Sequence, residues 1–316
     1  MEIPYTFAGL PPRPLEKARV AILPVAYDGT TSYQAGTRFG PQEIILASRF
    51  LEMYDESLGF EPSDLGIATL PELWPDLSRP EAVVNEVEKY VTKILQNRVF
   101  PVILGGEHSI TAGAAKAFHK IYPKLSVLTL DAHADLRKTY QGTRYNHACV
   151  SRRIMEMGIP ITVMGVRCIP AEDLPLPSPP LSLPPRGDGC PFQSSGKGLN
   201  VGGGAKLKVI RAEKLKEKKD WLSLISSNLT ESVYLSIDLD FFDPAEVPAV
   251  GTPEPGGLGW SETNRFLRRL AQKHRVVGFD VVELNGSLHH TPSSYFASRL
   301  VYRLIGLCGV RPLEKN

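Results

Sequence analysis

Three apolar runs, each followed directly by side chains that bind metals, constrain this chain more than any other feature. Leu125 to Leu130 is an aliphatic and β-branched run that reads as a buried strand, and it ends in Asp131-Ala132-His133-Ala134-Asp135. Ligand types at i, i+2 and i+4 of a still-extended chain can be turned toward one cavity. A single Asp-x-His reads equally well as a solvated loop, but here the arrangement recurs. Gly105-Gly106-Glu107-His108-Ser109 follows the apolar run Pro101 to Leu104, and Asp238-Leu239-Asp240 follows Val233 to Ile237. Together His108, Asp131, His133, Asp135, Asp238 and Asp240 offer two imidazoles and four carboxylates, enough for two divalent ions. Such a set gathered without a cation would carry a large unpaired negative charge, which burial strongly disfavours. Mixed carboxylate and imidazole donors suit manganese, zinc or iron.

Around these runs, apolar strands alternate with amphipathic helices. Strands are expected at Arg19–Ala26, Leu65–Leu70, Phe100–Leu104, Leu125–Leu130, Ile161–Val166, Lys206–Ile210, Val233–Ile237 and Val276–Val282. Helices are expected at Gln42–Met53, Glu81–Leu95, Ser109–Tyr122, His147–Met157, Ser261–Gln272 and Ser294–Leu307, with Ile44, Ile45, Ala47 and Phe50 on one core face and Ser261 as an N-cap. Alternation of this kind predicts an α/β fold of three layers, α/β/α, with a mainly parallel central sheet. In such sheets sites lie beyond the carboxyl ends of the strands, which is where all three ligand runs fall.

Composition removes several classes of function. At 316 residues, 42% apolar and 22% charged, the chain reads as a single domain over residues 1–316. A formal net charge of +2 gives no pull toward nucleic acid or membrane, and no apolar run is long enough to span a bilayer. Residues 1–13 do not read as a secretory signal, and Cys149, Cys168, Cys190 and Cys308 are sparse and without a Cys-x-x-Cys pattern. A cytoplasmic location is the expectation. One stretch breaks the pattern: eight prolines fall in 170–191 and seven glycines in 187–204. Residues 171–205 read as a flexible surface insertion, or as a local reading-frame slip, which predicts weak packing there.

The four motifs at 105–109, 131–135, 236–244 (Ser-Ile-Asp-Leu-Asp-Phe-Phe-Asp-Pro) and 251–258 (Gly-Thr-Pro-Glu-Pro-Gly-Gly-Leu) together resemble the ureohydrolases, the arginase and agmatinase family. The local match is best to agmatinases, through Asp-Ala-His-Ala-Asp-Leu-Arg at 131–137 and His-Ala-Cys-Val at 147–150. The resemblance implies an arginase-like fold and two Mn2+ per subunit. His108, Asp131, Asp135 and Asp238 would hold one ion, Asp131, His133, Asp238 and Asp240 the other, with a shared hydroxide as nucleophile. Asp135 would hydrogen-bond that hydroxide, His147 would shuttle the proton, and Glu283 would pair with the substrate guanidinium. Thr252 would line the pocket, and Asp280 would be a supporting acid. Read alone, His147 is a loop histidine and Glu283 a strand-end acid. His119, His274, His289 and His290 lack ligand spacing and read as surface residues.

The implied reaction is hydrolysis of agmatine to putrescine and urea, in polyamine biosynthesis. Aminopropylagmatine, guanidinobutyrate and arginine are the alternatives. Arginases typically carry asparagine where this chain has Arg137, which is expected to point away from the pocket. A single-zinc deacetylase conflicts with His108 together with the Asp238/Asp240 pair, and an inactive binding homologue conflicts with six intact ligands. The partners implied are a small guanidino substrate and further copies of the chain, as a trimer or hexamer.

Overall fold

The computed structural model of the protein describes residues 3–76, 78–170, 199–200 and 206–310. Short apolar runs make the strands: Val20–Val25 (β1), Ile67–Thr69 (β2), Phe100–Gly105 (β3), Leu125–Leu130 (β4), Ile161–Val166 (β5), Leu199–Asn200 (β6), Lys206–Arg211 (β7), Ser232–Asp238 (β8) and Arg275–Val282 (β9). They form one sheet in the order β2-β1-β3-β9-β8-β4-β5-β7-β6. Every pairing is parallel except that of the edge strand β6, which runs antiparallel to β7. Parallel strands need crossover connections, and helices supply them on both faces.

Those helices are Gly40–Ser48 (α1), Pro80–Gln96 (α2), Thr111–Ile121 (α3), Val150–Glu156 (α4), Ala212–Glu217 (α5), Trp221–Ile225 (α6), Trp260–Lys273 (α7) and Thr291–Cys308 (α8). Alternate residues of β1 face opposite ways: Val20 and Ile22 join one core with α1 and α5 to α8, Ala21 and Leu23 the other with α2 to α4. The strands are therefore buried on both faces, which is why they read as continuous apolar runs rather than alternating ones.

The expected strands and helices are present, with three local corrections. α1 stops at Ser48, so Phe50 is not on its core face and is 71% exposed, while Ile44 and Ile45 are buried. Gly259, not Ser261, is the N-cap of α7; Glu262 accepts from its backbone N–H at 2.8 Å. The helices expected from Ser109 and His147 each begin as a 3-10 turn, His108–Ile110 and His147–Cys149, before α3 and α4 start. The expectation for 171–205 lies outside the described residues apart from β6. No helix among the described residues is long and apolar enough to cross a membrane.

The order of the strands positions the site. β3 and β4 are consecutive in the chain up to α3, yet β9 and β8 lie between them in the sheet. The carboxyl ends of four neighbouring strands thus open onto one place, at the point where the winding reverses.

Candidate metal centre

Each of those four strands ends differently. After β3 the chain turns at Gly106, where a Cβ would lie 1.8 Å from the Tyr27 carbonyl oxygen, so only glycine fits and the turn is tight. The next residue, Glu107, is fully buried; its carboxylate accepts from Thr30 N–H at 2.6 Å and from the Thr30 and Ser109 hydroxyls at 2.5 Å. β4 runs straight into Asp131, His133 and Asp135. β8 ends on Asp238, whose Oδ1 accepts from Asp240 N–H at 2.9 Å and so fixes the next carboxylate. β9 delivers Glu283. Asp135 and Glu283 have left-handed φ of 51° and 67°, an unusual backbone state that costs on the order of 1–3 kcal/mol and tends to cluster at functional sites.

The inner part of the cluster is organised on His108. Its Nδ1 lies 3.2 Å from a carboxylate oxygen of each of Asp131, Asp135 and Asp238, yet makes no hydrogen bond. The cause is on the other side of the ring. Nε2 sits 3.0 Å from Ser236 Oγ, and that hydroxyl donates to Asp280 Oδ1 at 2.6 Å. Asp280 is fully buried and also accepts from Tyr234 OH at 2.6 Å and Thr111 Oγ1 at 2.8 Å. With its only proton committed, Ser236 accepts from Nε2–H, which leaves a lone pair on Nδ1 facing three carboxylates. Asp131 Oδ2, also buried, has no hydrogen-bond partner either. Orphaned buried donor atoms around a common point are what a divalent cation satisfies, so the residues fit one.

On the outer side, His133 Nδ1 lies 2.8 Å from Asp240 Oδ2 and 3.7 Å from Asp131 Oδ1. The groups His108/Asp131/Asp238 and Asp131/His133/Asp240 each bring one ligand atom per residue within 4.8 Å of the others. Asp131 belongs to both groups, whereas Asp238 belongs only to the one that contains His108.

Electrostatics report the same shortage of positive charge. Burial, then the charges of Asp240 and Asp131, push the Asp238 carboxyl well above its usual range. Burial and the Asp131 charge raise Asp135 to about 6. Burial and the Glu107 charge raise Glu283 strongly. Burial would raise Asp131 too, but hydrogen bonding to His108 and His133 outweighs it and holds this carboxyl low. Burial alone would lower His108, yet its three carboxylate neighbours raise it well above normal.

The cavity over the cluster is lined by His133, Asp135, His147, Asp238, Asp240 and Glu283, so the expected site residues meet in one place. Thr252 is also in its wall. His147 donates its backbone N–H to Thr30 Oγ1 at 3.1 Å, which links it to Glu107; its Nδ1 lies 3.8 Å from Glu283 Oε1. Burial, then the positive charges of His133 and His108, hold the His147 imidazole down at about 4, so it is neutral near pH 7. Glu283 Oε1 accepts His108 N–H at 2.7 Å, and a Cβ at Gly251 would stand 3.3 Å from Oε2. The absence of a side chain at 251 keeps that oxygen approachable.

Two expectations need correction. Arg137 is not remote from the cavity: it is among the lining residues, with its guanidinium 4.6 Å from the ring centroid of Tyr140, another of them. Of the four histidines outside the cluster only His289 is fully exposed; His119, His274 and His290 are half-buried, and His290 Nδ1 accepts from Ser293 N–H as the N-cap of α8. Sequence reading missed Glu107 and Ser236. A hydroxyl and a carboxyl, Ser236 and Asp280, within the buried stretches of two strands were the available signal for Ser236.

A family model described as the arginase family matches residues 18–176 and 200–306. The gap it leaves falls within the proline- and glycine-rich stretch. An N(1)-aminopropylagmatine ureohydrolase of Synechocystis sp. is 35% identical over 94% of this chain and 92% of its own length. An agmatinase of Pyrococcus horikoshii is 36% identical over 94% and 95%. Among solved structures, the agmatine ureohydrolase of Thermoplasma volcanium superposes with a TM-score of 0.77, at 30% identity, over 93% of this chain and 91% of that one.

Proposed function

This chain belongs to the arginase family and is a hydrolase of guanidino compounds, and from that premise we propose that it is an agmatinase, converting agmatine and water to putrescine and urea. The observation that carries the metal part of this reading is His108 Nδ1, held without a hydrogen bond 3.2 Å from three carboxylates. Two divalent ions, manganese in this reading, would be held by His108, Asp131, Asp135 and Asp238 on the inner side and by Asp131, His133, Asp238 and Asp240 on the outer. When bound, such ions act as Lewis acids that bring the pKa of water toward neutrality.

The remaining chemistry belongs to the chain. A guanidinium carbon is a poor electrophile because its charge is delocalised, so orientation matters as much as activation. Glu283 Oε1 is engaged by His108 N–H, and Oε2 faces the space left by Gly251; a planar guanidinium pairs with such a carboxylate and presents its carbon to the cluster. Asp135 orients the attacking water. His147, neutral near pH 7, accepts a proton on Nε2, which is buried and has no partner, and returns it to the departing amine. The balance is R–NH–C(NH2)2+ plus H2O giving R–NH3+ plus urea.

A second reading has support in the relatives' names. Three of them, from Synechocystis sp., Thermococcus kodakarensis and Thermus thermophilus, are N(1)-aminopropylagmatine ureohydrolases at 33–35% identity. Either substrate serves polyamine biosynthesis. Cytoplasmic location and a homo-oligomeric state, trimer or hexamer, complete the proposal; Cys149 and Cys168 are free thiols, consistent with a reducing compartment. The test is urea release by manganese-loaded protein with agmatine, aminopropylagmatine, arginine and guanidinobutyrate side by side. Preference for agmatine supports the proposal. Preference for arginine or guanidinobutyrate overturns the substrate and keeps the chemistry.

A further inference from the structure

At the open edge of the cluster three donors of different chemistry meet: the His133 imidazole, the Cys168 thiol and the Glu254 carboxylate, with ligand atoms within 4.8 Å of one another. His133 divides its ring between two environments. Nδ1 faces Asp240 Oδ2 at 2.8 Å, while Nε2 faces Glu254 Oε1 at 3.8 Å. Cys168 is a free, half-buried thiol in the cavity wall, so a solute that enters the cavity reaches it.

The three donors stand on a braced scaffold. Cys168 N–H donates to Ala132 O at 3.1 Å, which ties it to the residue between Asp131 and His133. The neighbouring Arg167 side chain donates to Glu254 O at 2.8 Å, Pro255 O at 3.2 Å and Asp240 O at 2.5 Å. The oxygen-rich inner set suits a hard ion such as manganese, whereas nitrogen, sulfur and oxygen together suit zinc.

We propose that His133, Cys168 and Glu254 form a separate site for a borderline divalent cation of the zinc type, and that it competes with the outer ion of the metal pair for His133. A neutral imidazole has one lone pair and one N–H. With Nδ1 as ligand of the outer ion, Nε2 carries the proton and faces Glu254. With Nε2 on zinc, Nδ1 carries the proton, donates to Asp240 and no longer ligates. The thiol proton passes to solvent as the sulfur binds. Occupation of this site by zinc therefore takes the imidazole from the outer ion and weakens its hold. The competition rests on His133 serving the outer ion; the thiol site does not.

The experiment has two arms. Cobalt(II) added to metal-free protein is expected to give a thiolate-to-cobalt charge-transfer absorption that Cys168→Ser removes and Glu254→Gln weakens; its absence from the wild type overturns the site. Zinc added to protein holding two manganese ions is expected to release one of them per chain, read by the electron paramagnetic resonance of free manganese. Cys168→Ser is expected to need about tenfold more zinc or higher for the same release. Equal release from both proteins overturns the competition, because zinc is then exchanging at the carboxylate ligands. Protein that binds no manganese overturns the competition and the metal-pair reading together, and the cobalt absorption then decides the thiol site by itself.

Discussion

His108 and His133 are the same side chain set against the same aspartate, Asp131, and they stand in opposite circumstances. His108 is 1% exposed, with three carboxylates at one distance from Nδ1 and Nε2 locked through Ser236 onto Asp280. Its supports come from β8, β9 and the start of α3, so the fold's own core holds the ring. His133 is 23% exposed, has one close carboxylate, and its second nitrogen faces the loop residue Glu254 at a distance too long for a hydrogen bond. Imidazoles that bind metals gain affinity when the opposite nitrogen is pinned. On the proposed metal-pair reading, the inner half would retain its ion and the outer half exchange it, which predicts unequal affinities for the two ions.

Removing the shared carboxylate erases the contrast altogether. Asp131→Ala is expected to abolish urea release and leave neither ion bound, measured by metal content after dialysis. Retention of one ion would show that the halves are independent.

His147 tests whether proton traffic is separable from both halves. In His147→Asn, kcat is expected to fall by about 10²–10⁴-fold with two ions still bound. Loss of metal along with rate would move His147 into the ligand set. The same residue makes an acid-stability prediction. Its pKa is lowered from 6.5 to about 4 on folding, so between those values the unfolded chain binds more protons. Stability is complete above pH 6.5 and is lost as the pH falls toward 4, by up to about 3 kcal/mol from this group. Urea unfolding of the metal-free protein at pH 7 and pH 4.5 is expected to show a smaller acid loss in His147→Asn than in the wild type.

The smallest effect sharpens the comparison most. Ser236→Ala frees His108 Nε2 and is expected to weaken the tighter ion by about 10–100-fold. Glu254→Gln, on the outer side, is expected to weaken the other ion by less than about tenfold. Isothermal titration of both variants with manganese gives the two numbers, and a larger loss in Glu254→Gln would reverse the assignment of inner and outer.

What was legible in the chain divides along the same line. Doubly buried strands read as unbroken apolar runs, so β3, β4 and β8 and the ligands at their ends could be placed from local pattern. Where a side chain's role depended on a distant partner, pattern was silent. Ser236 matters because Asp280 takes its proton from the neighbouring strand, and Glu107 because Thr30 is folded over it. Arg137 lies among the residues lining the cavity because its guanidinium packs over Tyr140, a contact no local pattern shows. Phe50 fitted a helical face only as long as the helix was assumed to continue past Ser48. Glu254 and Cys168 lie on separate loops, and only the winding of the sheet brings them to His133.

The insertion of β9 and β8 between β3 and β4 has a consequence for how the molecule is made. During synthesis β3 and β4 emerge early, and the strands that must lie between them follow only about a hundred residues or more later. Until then both have an unpaired edge toward the future centre of the sheet, a state that invites wrong pairing and calls for chaperone cover. His108 waits for Glu283, 175 residues downstream, before its loop is secured. The metal pocket is thus a late certificate of assembly: a nascent chain cut short before β9 has all six ligands but lacks Asp280 and Glu283, which hold His108 in place.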